Sequence, residues 1–375
     1  MEQAELTRRG VLAVAGGGVI LAAGCSGSGA AGAPWRRAGS LYDDPMRAAL
    51  SYAILAPNPH NRQPWLVNLQ GPDEAVLHCQ LDRRLPQTDP YDRQIVIGLG
   101  CFLETFRIAA TSLGRGVEIE PFPEGADVTS LDARPVARLR LTSETVDPDP
   151  HFRHILNRRT NRGLYDDRTP PRMALRRVTG VSEGGRFEDD PDTVAKLNDL
   201  AWRAWEVETT DPEIFQESID LMRIGRKEIN ENPDGLAIRG PVIEAAALIG
   251  LVSREKMEDQ STRAFKSALN IAKKPFAETR AHVWFVSAGN TRLDQIAAGF
   301  DYMRAALTAT RLGLSIQPLS QGLQEYASMA AIYAEAQETL GAPEGGVVQM
   351  WARIGYGGSV PTAPRWPLES RLMRG

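Results

Sequence analysis

Residues 94–121, QIVIGLGCFLETFRIAATSLGRGVEIEP, and residues 295–318, QIAAGFDYMRAALTATRLGLSIQP, are two versions of one pattern. Aligning Gly100 with Gly299 places Ala110-Thr111 over Ala309-Thr310 and Leu113-Gly114 over Leu312-Gly313, with two residues fewer before Pro318 than before Pro121. The first copy carries Leu99, Leu103, Phe106, Ala110 and Leu113 at alternating spacings of four and three; the second carries Ile296, Phe300, Met303 and Leu307. That periodicity predicts two long helices, each ending at a glycine and turning into a strand. Two copies imply two related halves fused in one chain, with the repeated helices packed together. The alternative is chance similarity of two Ala/Leu-rich helices, against which the shared glycine endings argue.

Working outward, Asp44 suits an N-cap and Pro45 the first helical position, and Met46, Leu50, Ala53 and Ile54 supply an apolar stripe. Strands are expected at WLVNLQ (65–70), AVLHCQL (75–81), VARLRL (136–141) and VVQMWARIGYG (347–357). The expected organisation is α+β: a first half over 42–149 and a second over 150–375, each a mixed sheet packed with helices around the long central ones. Residues 205–290 have no counterpart in the first half, and an insertion of this size can fold over a site as a lid.

The chain has 375 residues, 42% of them hydrophobic and 24% charged, which reads as globular. A net charge of −4 and a pI near 5.9 give no general attraction to nucleic acid. At the N-terminus, LTRRGVLAVAGGGVILAAGCSGSG (6–29) has an arginine pair, an apolar stretch and small residues before Cys25. Residues 1–24 are therefore read as a Tat-type export signal. Cys25 is read as the lipidated first residue of a protein held on the extracytoplasmic face of the cell membrane. Residues 25–41 are read as a flexible Gly/Ala/Ser tether. Cys79 and Cys101 either pair or remain buried thiols. The five histidines show no metal-ligand spacing, and no metal site is expected.

Two stretches carry candidate chemistry. APNPHNRQPW (56–65) packs a His, two Asn, an Arg and a Gln between three prolines that hold it as a rigid loop. It is either a binding loop or a surface turn whose amides cap its neighbours. NRRTNR (157–162) concentrates Arg158, Arg159 and Arg162 with Thr160, as a phosphate site at the first turn of a helix would. A solvated basic helix start is the alternative. Arg353 and Arg365 could converge on the same anion.

APNPHNRQPW resembles the Pro-Ser-x-x-Asn-x-Gln-Pro-Trp signature of the FMN-dependent nitroreductase superfamily. RRTNRGLY (158–165) is similar to that family's Arg-Arg-Ser-x-Arg-x-x-Phe/Tyr start, and RIGYG (353–357) with Arg365 to its closing segment. The double length resembles the Acg-like branch. The resemblance implies a nitroreductase-like fold fused as an intrachain pseudo-dimer, monomeric on that account, with one composite FMN site. In that site Arg158, Arg159, Thr160, Arg162 and Arg365 would hold the phosphate and ribityl end. Gln317, Pro318 and Leu319 would lie beside the ring, with Asn58, Asn61 and Gln63 facing it. Arg62 would stand close to the flavin. A mirror-image site would be missing. The implied activity passes electrons from NAD(P)H or another reduced donor to nitroaromatic or quinone-type acceptors in ping-pong turns, with no catalytic acid or base. Rival readings are an exported flavin-binding protein without turnover and a solute-binding lipoprotein without flavin.

Overall fold

The computed structural model describes residues 29–127, 129–250 and 252–374; the segment read as an export signal, and Cys25, lie outside the described residues. A short 3-10 turn, Ala30–Gly32, leads into helix α1 (Ala33–Arg37). The tether reading does not hold here, because Trp35 is buried and its indole N–H donates to the Ala363 carbonyl at 2.8 Å. A large apolar side chain with a place to bury orders the small residues around it.

Helix α2 (Pro45–Ala53) starts where Asp44 accepts from the Met46 N–H, with Pro45 at its first position. The first half continues through β1 (Trp65–Leu69), β2 (Glu74–Cys79), the long helix α3 (Arg93–Thr111), β3 (Val117–Pro121) and β4 (Ala137–Leu141). The second half begins with α4 (Arg172–Thr179) and β5 (Gly185–Glu188). After the insertion come β8 (His282–Ser287), α12 (Arg292–Arg311), β9 (Ser315–Pro318), α13 (Ala330–Thr339) and β10 (Val347–Gly355). Inserted between β5 and β8 are α5 (Pro191–Thr210), α6 (Pro212–Asp220), β6 (Met222–Ile224), α7 (Gly225–Glu231), β7 (Leu236–Ile238), α8 (Pro241–Leu248), α9 (Arg254–Glu258), α10 (Arg263–Ala272) and α11 (Lys274–Ala277).

The internal repeat is thus a repeat of topology. One sheet has the order β1-β2-β4-β3 and the other β5-β8-β10-β9, and in each a long helix sits between the second and third strands of the chain. This is the α+β, fused-halves architecture expected. Within each sheet the four strands are antiparallel, and the mixing comes from single parallel bridges at the edges, Val67 with Leu372 and Thr160 with Ile316. The 205–290 boundary needs correcting: the unmatched segment starts directly after β5, and His282–Ser287 belongs to the repeat because β8 occupies the sheet position of β2.

The halves meet along α3 and α12. Gly100 and Gly299 face each other so closely that a Cβ on Gly299 would lie 2.7 Å from the Gly100 Cα, and one on Gly100 would lie 3.0 Å from the Gly299 Cα. Only glycine permits such backbone contact. The Cys101 thiol donates to the Gly299 carbonyl at 3.2 Å across this crossing. Cys79 and Cys101 are both free and buried. Both helices end as expected, at Gly114 and Gly313 with φ of +69° and +71°. Leu113 lies past the last turn of α3 and is exposed, so it leaves the stripe assigned to it.

Gly299→Val should cost about 2–3 kcal/mol, because the branched side chain meets helix backbone that cannot move aside. Gly71→Ala, where an added Cβ meets nothing within 4 Å, should be close to neutral. Denaturant unfolding of the two variants against the parent checks both.

Candidate functional site

The loop after α2 is bent to an unusual degree. His60, Asn61 and Gln63 all have positive φ, at 45°, 53° and 51°, although none is glycine. Strain of this kind costs on the order of 1–3 kcal/mol per residue and persists only where the surroundings impose it. Here the amides impose it. The Asn58 Oδ1 accepts from the Gln63 N–H at 2.8 Å, and the Gln63 side chain donates to the Pro233 carbonyl at 2.8 Å and accepts from the Trp366 N–H at 2.9 Å. The Asn61 Nδ2 donates to the Pro364 carbonyl at 3.1 Å, while its oxygen accepts from Arg365.

The loop forms one wall of a cavity between the two halves, which offers about 220 Å³ to the centre of a water-sized molecule. Asn58, His60 and Asn61 line it from the first half, together with Gly98 and Cys101 of α3. Arg158, Arg159, Thr160 and Arg162 line it from the second, with Tyr302 of α12, Gln317 and Pro318 of β9, and Arg365. The insertion supplies a roof. Leu236 and Ile238 of β7 line the cavity, and the Gly235 N–H donates to the Asn61 carbonyl at 3.2 Å. Asp234 pairs with Arg83 at 2.7 Å, which ties that roof to the first half, and with Arg223 of β6 at 2.9 Å within the insertion.

The positive charge is concentrated and, within its own group, unneutralised. Arg158 is 3% exposed; its Nη2 donates weakly to the Leu55 carbonyl at 3.3 Å, and its Nη1 has no partner among the described residues. Burial lowers the pKa of Arg158, and burial with the Arg158 charge pushes Arg159 down to about 10. Arg365 is held well below the ordinary arginine value by burial, then by Arg158 and Arg159. Trp35 lies beneath two of these groups, with the Arg159 guanidinium 4.9 Å and that of Arg365 5.6 Å from its ring. An anion accepting from such forks would remove the mutual repulsion and replace lost hydration.

Other cavity-lining atoms also await partners. Tyr302 Oη, His60 Nδ1, Arg239 Nε and Gln324 Oε1 are buried without a hydrogen bond among the described residues. Burial, with Arg162 and Arg62 nearby, lowers the His60 pKa to about 4, so its ring is neutral. With the arginines, these atoms fit a ligand with an anionic end and several polar groups.

Several expected residues have other roles. Gln63 does not line the cavity, because both ends of its amide are consumed in holding the loop. Leu319 is buried beside the cavity but not in its lining. Arg365 lines the cavity, but its donors go to the carbonyls of Ile54, Leu55 and Ala56 and to Asn61, so it contributes charge rather than a free fork. Arg62 turns away, donating to the carbonyls of Arg83 and Asp82, and does not crowd the site. Arg353 donates to Gln317 and to the Gly163 carbonyl, scaffolding β9. The arginine cluster is not at a helix N-terminus: it follows the 3-10 turn Phe152–Asn157 and runs extended beside β9.

Sequence reading missed Trp35, Tyr302, His60 and Glu208. Tyr302 carried a signal, since the repeat places it over Leu103, so a phenol interrupts an apolar stripe. Trp35 carried a weaker one, a large aromatic within small residues. Glu208, on α5, carried none.

No family model matches the chain. A Mycobacterium tuberculosis H37Rv protein, Rv3131, whose name assigns it by inference as an NAD(P)H nitroreductase, is 24% identical over 343 residues, covering 86% of this chain and 92% of its own. Another from that strain, acg, named in the same way, is 34% identical over 96 residues, or 24% of this chain and 28% of its own. Among solved structures, the FMN-dependent nitroreductase NfnB of Mycobacterium smegmatis in complex with NADPH aligns with a TM-score of 0.34 and 16% identity over 58% of this chain and 94% of that one. A nitroreductase of Anabaena variabilis, so named by inference, aligns with a TM-score of 0.40 and 10% identity over 76% of this chain and 69% of that one.

Arg158→Met should separate stability from binding. In phosphate-free buffer it should raise the melting temperature by about 2 °C, by removing an unpaired buried charge. Inorganic phosphate should stabilise the parent and leave the variant unchanged. Differential scanning calorimetry in both buffers reads the two effects.

Proposed function

We propose that the chain is an FMN-dependent, nitroreductase-like oxidoreductase that takes electrons from NAD(P)H or a related donor and passes them to nitroaromatic or quinone-type acceptors by a ping-pong route. The observation that carries this reading is the composite cavity, in which a strained amide loop of one half faces an unneutralised arginine group of the other. The relative that aligns along most of the chain is named for NAD(P)H and nitroreductase activity, which supports the same reading.

The residues present fit FMN by the chemistry of their donors. Arg158 and Arg159, with the charge of Arg365 behind them, would hold the phosphate. Thr160 and Arg162 would face the ribityl end. Gln317, Pro318, Asn58 and Asn61 would bound the ring. When bound, FMN supplies reversible two-electron chemistry, and the protein supplies position and field. Arg158 and Arg159 would orient the anion, and β7 would keep bulk water from the cavity.

That roof also favours a second reading, an exported flavin-binding protein without turnover. Export by the Tat-type route and anchoring at Cys25 belong to both readings as proposals, and Cys25→Ala should abolish incorporation of labelled palmitate in cells.

The purified full chain should be yellow, with a flavin absorbance spectrum, and Arg158→Ala combined with Arg162→Ala should be colourless. A colourless parent, or a double variant that keeps its flavin, overturns the assignment. Stopped-flow mixing of the yellow protein with NADPH should bleach it; an unbleached flavin favours the second reading.

A further inference from the structure

Glu208 enters the cavity from α5, within the insertion, so no element common to the two halves demands a carboxyl group there. It is 4% exposed, and its Oε2 accepts from the Gln324 Nε2 at 2.8 Å. Beside it the wall is apolar and aromatic: Trp205, one turn back on α5, lies 6.3 Å from Phe276, and both line the cavity. Gln324 also presents a buried Oε1 without a partner. An acid, an unsatisfied amide oxygen and an aromatic wall converge where a flat acceptor could lie.

Burial pushes the Glu208 pKa up to about 7, against the lowering effect of hydrogen bonds from Gln324 and Gln321. The charged or titratable groups facing it are Arg162, from the extended segment beside β9, Glu217 on α6, and Tyr326, which precedes α13. Arg162 favours the carboxylate and Glu217 opposes it. An acid whose pKa is raised to near neutrality, so that it can both give and recover a proton there, with an arginine to stabilise the anion left behind, matches the requirement for general acid catalysis.

Resting on the flavoenzyme reading, we propose that Glu208 is the proton donor to the acceptor. Reduction of a quinone-type acceptor needs one hydride equivalent and one proton. The hydride equivalent comes from the flavin; the Glu208 O–H bond breaks as an O–H bond forms on the acceptor oxygen. The carboxylate then recovers its proton from water, so atoms and electrons balance. Glu208 is thereby a catalytic residue that the repeated halves do not supply, and its acceptors are flat molecules whose reduction places charge on oxygen.

The experiment uses the full chain and two readouts. In the infrared spectrum, with or without flavin, the parent should show a protonated-carboxyl stretch that titrates near pH 7; Glu208→Gln, which keeps an oxygen to accept from Gln324, should lack it. In the flavin-loaded protein, reoxidation by p-benzoquinone should slow about tenfold or more in Glu208→Gln and lose its fall with rising pH. Reoxidation by ferricyanide, which takes electrons without a proton, should be unchanged, and Glu208→Asp should restore part of the benzoquinone rate. A parent without the titrating stretch overturns the proposal, as do equal benzoquinone rates in a yellow protein. A colourless parent that retains the stretch overturns the flavoenzyme reading first, and the proton-transfer role with it.

Discussion

Backbone contact between α3 and α12 at Gly100 and Gly299 is the constraint on which the rest of the structure depends. It brings the two helices together without side chains between them, so the faces flanking the crossing can hold groups from both halves. Gly98 and Cys101 on one side and Tyr302 on the other line the cavity from those faces. The site is therefore a property of the seam. Neither half contains it, and any change that spreads the helices would also separate the loop at 57–63 from the arginines at 158–162.

Features set by local chemistry were legible in the sequence. Asp44 with Pro45 gave the start of α2, the periodicity of 99–110 and 296–307 gave the central helices, and Gly114 and Gly313 gave their ends. The tertiary destinations of side chains were not legible. Gln63 and Arg365 sit in the expected motif positions, but their hydrogen-bonding capacity goes to Pro233, Trp366 and the carbonyls after α2, partners distant in sequence. Local reading also failed where a neighbour overrides composition: Trp35 orders a glycine-rich segment because the Ala363 carbonyl accepts its indole N–H. The 158–162 segment offered arginines suited to a helix start, yet the edge of β9 draws it into an extended bridge through Thr160.

The loop and the arginines spend stability on opposite sides of one cavity. Three non-glycine residues at positive φ strain the first wall, and buried guanidinium groups repel one another in the second. Neither feature strengthens a ligand-free fold. Such costs concentrate where a ligand repays them, which is the physical reason to place binding here rather than at the many exposed ion pairs elsewhere on the surface.

Fusing two halves also removes a restriction that symmetry imposes on a dimer of identical chains. In such a dimer any insertion appears twice and must suit both sites. In one chain, the segment between β5 and β8 can be built for a single cavity, and it is: β7 covers it, Trp205 and Phe276 form a wall, and Glu208 adds the lone acidic side chain among the described lining residues. The asymmetry of the fold thus becomes asymmetry of chemistry: the arginines at 158–162 concentrate positive charge on one wall, and the insertion covers the cavity and adds a carboxyl group to it.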